Sequence, residues 1–145
     1  MRILDIEPGD ERLSADVLPV LTELRPHLTP EWFERIYAEG HPQGLRFTAV
    51  YDGDRCVAVA GWRIQATTVD GRKLYVDDLV TSGDRRSEGF GRALLSSLFE
   101  RAGKEGCRAF DLDSRVDRVD AHRFYEREGM RITAYHFERT VEPPD

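Results

Sequence analysis

The chain has 145 residues, of which 40% are hydrophobic and 33% charged, and its formal net charge is −6. This length and balance predict a single folded domain over residues 1–145 rather than a disordered chain. No apolar run approaches the ~20 residues that cross a bilayer, so no membrane partner is expected. The acidic charge also disfavours nucleic-acid binding, which usually requires a basic face.

The sequence predicts a cytoplasmic protein without a metal site. The segment from Met1 to Glu7 carries acidic residues where a signal peptide would be apolar. Cys56 and Cys107 stand far apart in the chain, so we expect two small core residues rather than a disulfide. No metal-ligand spacing is found among three of the histidines, His27, His41 and His136.

The first third of the chain predicts one strand and two helices. Residues 2–7 form the strand, and a helix follows on apolar residues at helical spacing: Val17, Leu18, Leu21, Leu24 and Leu28. The second helix has clearer ends. Thr29 is a capping residue, Pro30 suits the first helical position and Gly40 suits the end.

The remaining segments predict three strands, then a strand, a helix and a strand in a crossover, and finally a helix and a strand. Turn signals at residues 52–53 and 70–71 separate the first three strands, and Gly61 marks a bulge. The predicted elements are strands 45–51, 56–64 and 73–81, a helix from 90, a strand 108–112, a helix 120–128 and a strand 131–139. The fold class is therefore α/β, with a mixed, mostly antiparallel sheet flanked by helices on both faces.

A glycine-bearing loop stands at the start of the long helix. It consists of Arg86, Ser87, Glu88, Gly89, Phe90, Gly91 and Arg92. A helix start offers unbonded N–H groups and the positive end of the dipole, so it binds phosphate groups. The glycines let a phosphate approach the backbone, and the arginines add charge. A Walker loop is absent, and Leu94 occupies the third glycine position of the dinucleotide fingerprint.

This loop resembles the Gln/Arg-x-x-Gly-x-Gly/Ala motif of the GNAT superfamily of N-acetyltransferases. The preceding Val76-Asp77-Asp78-Leu79-Val80 is similar to the family strand that leads into that motif. A second family motif, Ala-x-x-Phe-Tyr-x-x-x-Gly-Met/Phe, is met from Ala121 to Met130. Two motifs in the expected structural contexts make the resemblance specific from Leu74 to Phe137; before Ile64 only the architecture agrees.

The resemblance implies that acetyl-CoA is the cosubstrate and that no metal is needed. The backbone of Leu79, Val80 and Thr81 is expected to pair with the pantetheine arm. The backbone from Ser87 to Arg92 is expected to hold the pyrophosphate. Tyr125 is expected to protonate or hydrogen-bond the departing thiolate. Many relatives carry Asn before the last helix, whereas this chain has Arg118, so that contact is not carried over.

The reaction also needs a base, because an attacking amine must lose a proton. Relatives often have an acid at the position of Asp77, and strand alternation places Asp77 and Asp78 on opposite faces. We predict Asp77 as the base, through a bridging water. Asp78 is the rival, and since alternation groups it with Val76 and Val80, a buried structural acid is the other interpretation.

We expect a small cationic amine as the acceptor. Acidic residues would attract a cation, namely Asp77, Asp78, Glu126 and Asp113, and aromatic faces would hold it, namely Trp32, Phe33, Tyr37 and Trp62. The helical spacing of the first three rings is equally typical of a core. The alternatives are a protein N-terminal or lysine acetyltransferase, a non-catalytic acyl-CoA sensor, and a nucleic-acid-binding domain. Dimers are common in the family, so a homodimer is also considered.

Overall fold

A five-stranded mixed sheet forms the core of the computed structural model, which describes residues 1–144. The strands are β1 (Arg2–Ile6), β2 (Arg46–Asp52), β3 (Arg55–Thr67), β4 (Gly71–Thr81) and β5 (Ala109–Leu112). They lie side by side in chain order. The first four strands pair antiparallel, as short turns allow, and β5 pairs parallel to β4 because a helix connects the two.

The described residues form the helices α1 (Leu18–Leu21), α2 (Pro30–Gly40), α3 (Phe90–Lys104) and α4 (Val119–Arg127). Short turns of other helix types precede α1 and follow α2 and β4. The expected start of α2 is confirmed, since the Thr29 hydroxyl accepts the Trp32 N–H at 3.1 Å. The first helix is shorter than predicted. Its chain turns after Leu21, whose carbonyl accepts the N–H groups of Leu24 and Arg25.

The sheet separates two apolar clusters, so the predicted fold class is confirmed. The first cluster joins β1, β2 and β3 to α1 and α2, and Phe33, Tyr37 and Phe47 belong to it. The second joins the opposite face to α3 through Leu94 and Leu98. Alternation along the strands produces this division: Ala49 faces the first cluster and Val50 the second.

The end of the chain differs from the prediction. The chain divides into two compact units, Met1–Leu112 and a second that begins at Asp113. In the second unit, described residues 130–144 form no helix or strand, so the predicted strand 131–139 is wrong. Alternating side chains define two faces, but a strand also needs a neighbouring edge, which the pattern does not specify. No helix among the described residues is long and apolar enough to cross a membrane.

Candidate active site

A bulge interrupts β4 at the first acid of the candidate site. Gly61 on β3 pairs with Asp78 and the next residue, Trp62, pairs with Val76, so Asp77 is an extra residue without a partner on β3. The bulge predicted at Gly61 is therefore confirmed as a register shift. A Cβ at Gly61 would lie 2.8 Å from Asp78 Oδ2, so glycine makes room for that carboxylate.

β4 also loses its other neighbour at this point. β5 pairs with β4 only from Lys73 to Val76. From Asp77 to Thr81, the edge of β4 that faces away from β3 has no strand partner in the described sheet. This free edge includes Leu79, Val80 and Thr81, the residues expected to pair with an extended ligand.

Each acid of the bulge is paired with an arginine from another element: Asp77 with Arg63 of the neighbouring strand β3, and Asp78 with Arg25, which follows α1. Both Asp77 oxygens accept hydrogen bonds from Arg63, at 3.0 and 3.1 Å. Asp78 Oδ1 accepts one from Arg25 Nε at 2.8 Å, and Arg25 Nη2 donates to the Asp77 carbonyl at 3.1 Å. Sequence reasoning missed both arginines, because nothing in their local sequence marks them as partners of the acids.

The two acids lie on the same face of the sheet, which corrects the expected alternation. Asp78 lies beside Gly61, where a Cβ would also touch Phe47 of the first cluster. Asp77 bonds to Arg63, which shares the face of Gly61 because it is two residues further along β3. The extra residue in the bulge shifts the alternation, so Val76 belongs to the α3 cluster while Val80 belongs to the other.

Burial raises the pKa of Asp78 above its usual range, and the hydrogen bond and charge of Arg25 oppose that rise. The side chain of Asp78 is 15% exposed and that of Asp77 is 25% exposed. A carboxylate with a raised pKa is a better proton acceptor when it is ionised. Asp78 therefore has chemistry suited to the alternative assignment of the base.

Hydrogen bonds to other segments hold the first half of the chain between β4 and α3 in place. The Ser82 N–H donates to the Val57 carbonyl at 2.8 Å, and the Gly83 N–H donates to Glu23 at 2.8 Å. Asp84 accepts hydrogen bonds from Ser82 and Arg55, which lower its pKa to about 2. These contacts fix where the chain enters the loop.

Two adjacent arginines of this segment have different surroundings. Arg85 forms ion pairs with Asp52 and Glu88 and lies over the Phe90 ring. Arg86 is exposed and makes no hydrogen bond or ion pair within the described part of the chain. Arg85 therefore holds the loop, whereas Arg86 retains its donors for a ligand.

The second half of the loop presents backbone donors. Ser87 and Gly89 have φ values of +64° and +88°, and Gly89 is the residue before α3. No side chain caps this helix, and its first backbone bond runs from the Ala93 N–H to the Gly89 carbonyl. Within residues 1–144, the N–H groups from Ser87 to Gly91 donate to no carbonyl. Such a row of unpaired donors suits an anion.

The expected group of aromatic side chains around an acceptor is not formed. Phe33 and Tyr37 are 2% and 1% exposed and pack against Phe47. Trp62 lies in the α3 cluster, on the other face of the sheet, and donates to Thr48. Only Trp32 remains accessible among these four rings, at 47%, with its ring beside His27. Helical spacing here reflects the core.

The second unit contains α4 and Tyr125. Tyr125 is half-buried, and burial raises the pKa of its phenol. Its ring lies 5.4 Å from that of Phe124. His122 Nε2 lies 2.7 Å from the Arg115 carbonyl, which agrees with a structural role for that histidine. Among the described residues, no group of three or more His, Cys, Asp or Glu side chains is arranged to hold a metal.

Comparison with known proteins agrees with this geometry. The model of the acetyltransferase (GNAT) family matches residues 12–130. An uncharacterized N-acetyltransferase, YhdJ of Bacillus subtilis (strain 168), is 33% identical over 129 residues, which is 88% of this chain and 91% of that protein. The chain therefore belongs to the GNAT family of acetyltransferases.

Solved structures show the same fold. A putative acetyltransferase from Agrobacterium tumefaciens str. C58 matches with a TM-score of 0.83 and 22% identity, over 97% of this chain and 100% of that one. Glucosamine-6-phosphate N-acetyltransferase from Arabidopsis thaliana matches with a TM-score of 0.77 and 20% identity, over 97% and 98%. At these identities the likeness extends to the fold alone.

Proposed function

We propose that this protein transfers an acetyl group from acetyl-CoA to the primary amine of a small cationic molecule, by direct attack in a ternary complex. The observation that carries the proposal is the row of unpaired N–H groups at the start of α3, next to the free edge of β4. The loop fits the pyrophosphate and the edge fits an extended arm. Acetyl-CoA supplies the acyl group as a thioester.

Binding of the cosubstrate is assigned to seven loop residues and three strand residues. The loop residues are Arg86, Ser87, Glu88, Gly89, Phe90, Gly91 and Arg92, and the strand residues are Leu79, Val80 and Thr81. A backbone N–H near Leu79 is the proposed donor to the carbonyl oxygen, which gains negative charge as the amine attacks.

Proton transfer is assigned to two side chains. Asp77 takes the proton of the amine through a water, so that nitrogen forms its bond to the carbonyl carbon as the carbon–sulfur bond breaks. Tyr125 donates its proton to the leaving sulfur. A phenol is protonated near neutral pH, so its hydroxyl can donate a hydrogen bond to the leaving sulfur. Asp78 is the competing base, supported by its raised pKa and by an Oδ2 atom that Arg25 leaves unbonded.

The acceptor is proposed as small and cationic because acids stand on the face of β4 that carries the bulge. Their attraction for a cation is reduced, since Arg63 and Arg25 each neutralise one of them. Trp32 is the remaining exposed ring that an ammonium group can meet. A protein lysine or N-terminus is the second acceptor class to test.

A homodimer is also proposed. Described residues 130–144 form no helix or strand, and three large apolar side chains there are 71–92% exposed: Ile132, Tyr135 and Phe137. Exposed apolar surface of this kind favours burial against a partner, and a second copy of the chain is the partner always present. Sedimentation analysis of the wild type and of Phe137→Ser tests this: a dimer weakened by the substitution is expected, and a monomeric wild type contradicts it.

The experiment that tests the activity is a coenzyme A release assay over small amines, peptides with free N-termini and lysine peptides. Saturable turnover of a small amine, with intersecting initial-velocity lines for the two substrates, is expected. Turnover of peptides only would transfer the assignment to protein acetylation. Acetyl-CoA binding by calorimetry without turnover of any amine would instead identify a sensor.

A further inference from the structure

One guanidinium group contacts both residues of the β4 bulge, Asp77 and Asp78. A bulge inserts a residue that the neighbouring strand does not pair, so its backbone groups need other partners. Arg25 supplies one, because its Nη2 donates to the Asp77 carbonyl at 3.1 Å. The Nε of the same side chain donates to Asp78 Oδ1 at 2.8 Å. Arg25 thus contacts both members of the acid pair.

The backbone of Arg25 is itself held in place by the segment that follows α1. Arg25 follows α1, and its N–H donates to the Leu21 carbonyl at 2.9 Å. The nearby side chains of Leu24 and Leu28 pack against the first cluster, the one that contains α1 and α2. The guanidinium therefore extends from an anchored backbone, and it connects the helical segment to the bulge 53 positions later in the chain.

We propose that Arg25 is a positioning residue for acetyl transfer, because it clamps the β4 bulge and so sets the backbone position of Asp77 and the orientation of the Asp78 carboxylate. The consequence for catalysis rests on the proposed function. The clamp itself rests on the two hydrogen bonds and on the anchored backbone.

The geometry of the clamp requires arginine. A planar guanidinium holds two donors at fixed directions, and here they reach a carboxylate oxygen and a carbonyl oxygen on adjacent residues. A lysine ammonium retains the positive charge but not the fork. Arg25→Lys therefore separates the effect of charge from the effect of geometry.

The charge of the clamp acts on Asp78. The charged groups around that carboxylate are Arg25, Asp77 and Arg63. Without Arg25, the burial of Asp78 and the negative charge of Asp77 are opposed only by Arg63, so the pKa of Asp78 rises further. If Asp78 is the base, the loss of activity on lowering the pH therefore begins at a higher pH in a protein without Arg25.

The first test measures kcat and KM against pH for the wild type, Arg25→Gln and Arg25→Lys. Arg25→Gln is expected to lower kcat by about 10- to 100-fold through misplacement of the acids, with the KM for acetyl-CoA unchanged. A shift of the acid limb of its kcat profile to higher pH is expected where Asp78, rather than Asp77, is the base. Arg25→Lys keeps the positive charge, so its pH profile is expected to match that of the wild type, while its kcat stays low because the forked donors are missing. Arg12→Gln is the matched control, since Arg12 has the same 43% exposure and also pairs with an aspartate.

The second test does not need activity. Carboxyl carbon NMR titration is expected to show Asp78 titrating at higher pH in Arg25→Gln than in the wild type. Equal titration curves, with an unchanged kcat profile, would overturn the clamp. If the wild type acetylates no amine, the proposed function fails while the titration still decides the clamp. Should Arg25→Gln fail to fold, Arg25→Lys is used in its place. A kcat of Arg25→Lys equal to that of the wild type would show that the two fixed donors of arginine are not required, and would refute the clamp.

Discussion

The bulge of β4 and the loop before α3 are neighbours in the chain, yet they are built in opposite ways. At the bulge, each carboxylate is paired with an arginine from another element, one on the neighbouring strand and one 53 positions away. In the loop, the backbone N–H groups of described residues 87–91 donate to no carbonyl. One region pairs its carboxylates within the protein, whereas the other keeps its backbone donors available for a ligand.

This difference separates two ways of making a site. The loop depends on backbone conformation, so it should respond to changes at glycine and tolerate many side-chain changes. The bulge depends on long-range charge pairs, so it should respond to changes in residues far away in the sequence. Substitutions in each region can therefore break or sharpen the contrast.

The largest effect is expected for Gly89→Val. Gly89 has a φ of +88°, which a β-branched residue adopts only with strain, and a side chain there would also obstruct a phosphate at the helix start. Loss of detectable acetyl-CoA binding by calorimetry is expected. Gly9→Val is the control, because Gly9 has a φ of +86° and, like Gly89, leaves open space around an added Cβ.

Both glycine variants should lose similar stability, as measured by thermal unfolding, since both force a valine into the left-handed region. Only the variant at Gly89 should lose the ligand. Wild-type affinity in a folded Gly89→Val protein would show that the backbone of this loop does not bind acetyl-CoA.

The next effect is expected at the bulge. Asp77→Asn is expected to lower kcat/KM by about 10²- to 10⁴-fold, the usual contribution of a general base. The loss should be greatest on the acidic side of the pH profile, where neutral amine is scarce. Asp78→Asn is the matched comparison, because it removes a charge from the adjacent residue on the same face. A damaging Asp78→Asn and a silent Asp77→Asn would transfer the role of base to Asp78.

The loop is the part of the candidate site that the sequence predicts well. Its place at a helix start is predicted from local residues, since helix ends are marked by adjacent positions, whereas the positive φ at Gly89 is known from the structure. The order of elements as far as α4 is also predictable, because turn signals and apolar periodicity are local patterns.

The bulge shows where sequence reasoning stops. Alternation predicted opposite faces for Asp77 and Asp78, but one inserted residue places both on the same face. Gly61 signalled the bulge without showing which residue of β4 would be extra. Arg25 lies 53 positions from Asp78, so no local pattern connects them. Likewise, helical spacing did not distinguish a ligand-binding role for Phe33 and Tyr37 from their place in the core.

Tyr125→Phe extends the contrast to the second unit. The change retains the ring and its contact with Phe124 but removes the hydroxyl. A fall in kcat of about 100-fold is expected, with acetyl-CoA affinity unchanged, because donation to the leaving sulfur belongs to the transition state. Single-turnover rate constants report the chemical step itself, whichever step limits kcat. Equal rate constants for the two proteins would exclude this role.

A smaller effect is expected for Arg86→Gln. Arg86 is exposed and has no partner among the described residues, so the change should not affect the denaturation midpoint. Acetyl-CoA affinity should fall by about tenfold, as expected for one hydrogen bond to a charged group, and less at high salt. Arg85→Gln is the comparison. Because Arg85 pairs with Asp52 and Glu88, its loss should lower the denaturation midpoint more than it lowers the affinity for acetyl-CoA. The reverse pattern would mean that Arg85 leaves these partners to bind the ligand.

The smallest effect is expected for Asp84→Asn, at the anchored entry to the loop. Hydrogen bonds from Arg55 and Ser82 lower the pKa of Asp84 to about 2. A lowered pKa in the folded protein means that the carboxylate contributes stability above the pKa of the unfolded chain, which is about 3.9. That contribution is lost as the pH falls through the folded value.

Asp84 is exposed, so Asp84→Asn should reduce the urea midpoint only slightly near neutral pH. The difference between the two proteins should then shrink as the pH is lowered below the unfolded pKa, because the wild-type carboxyl becomes protonated. Midpoints measured over a pH series check this sign. A difference that stays constant down to the acid limit would show that the substitution acts through packing or the unfolded chain, and that the loop is not anchored by this charge.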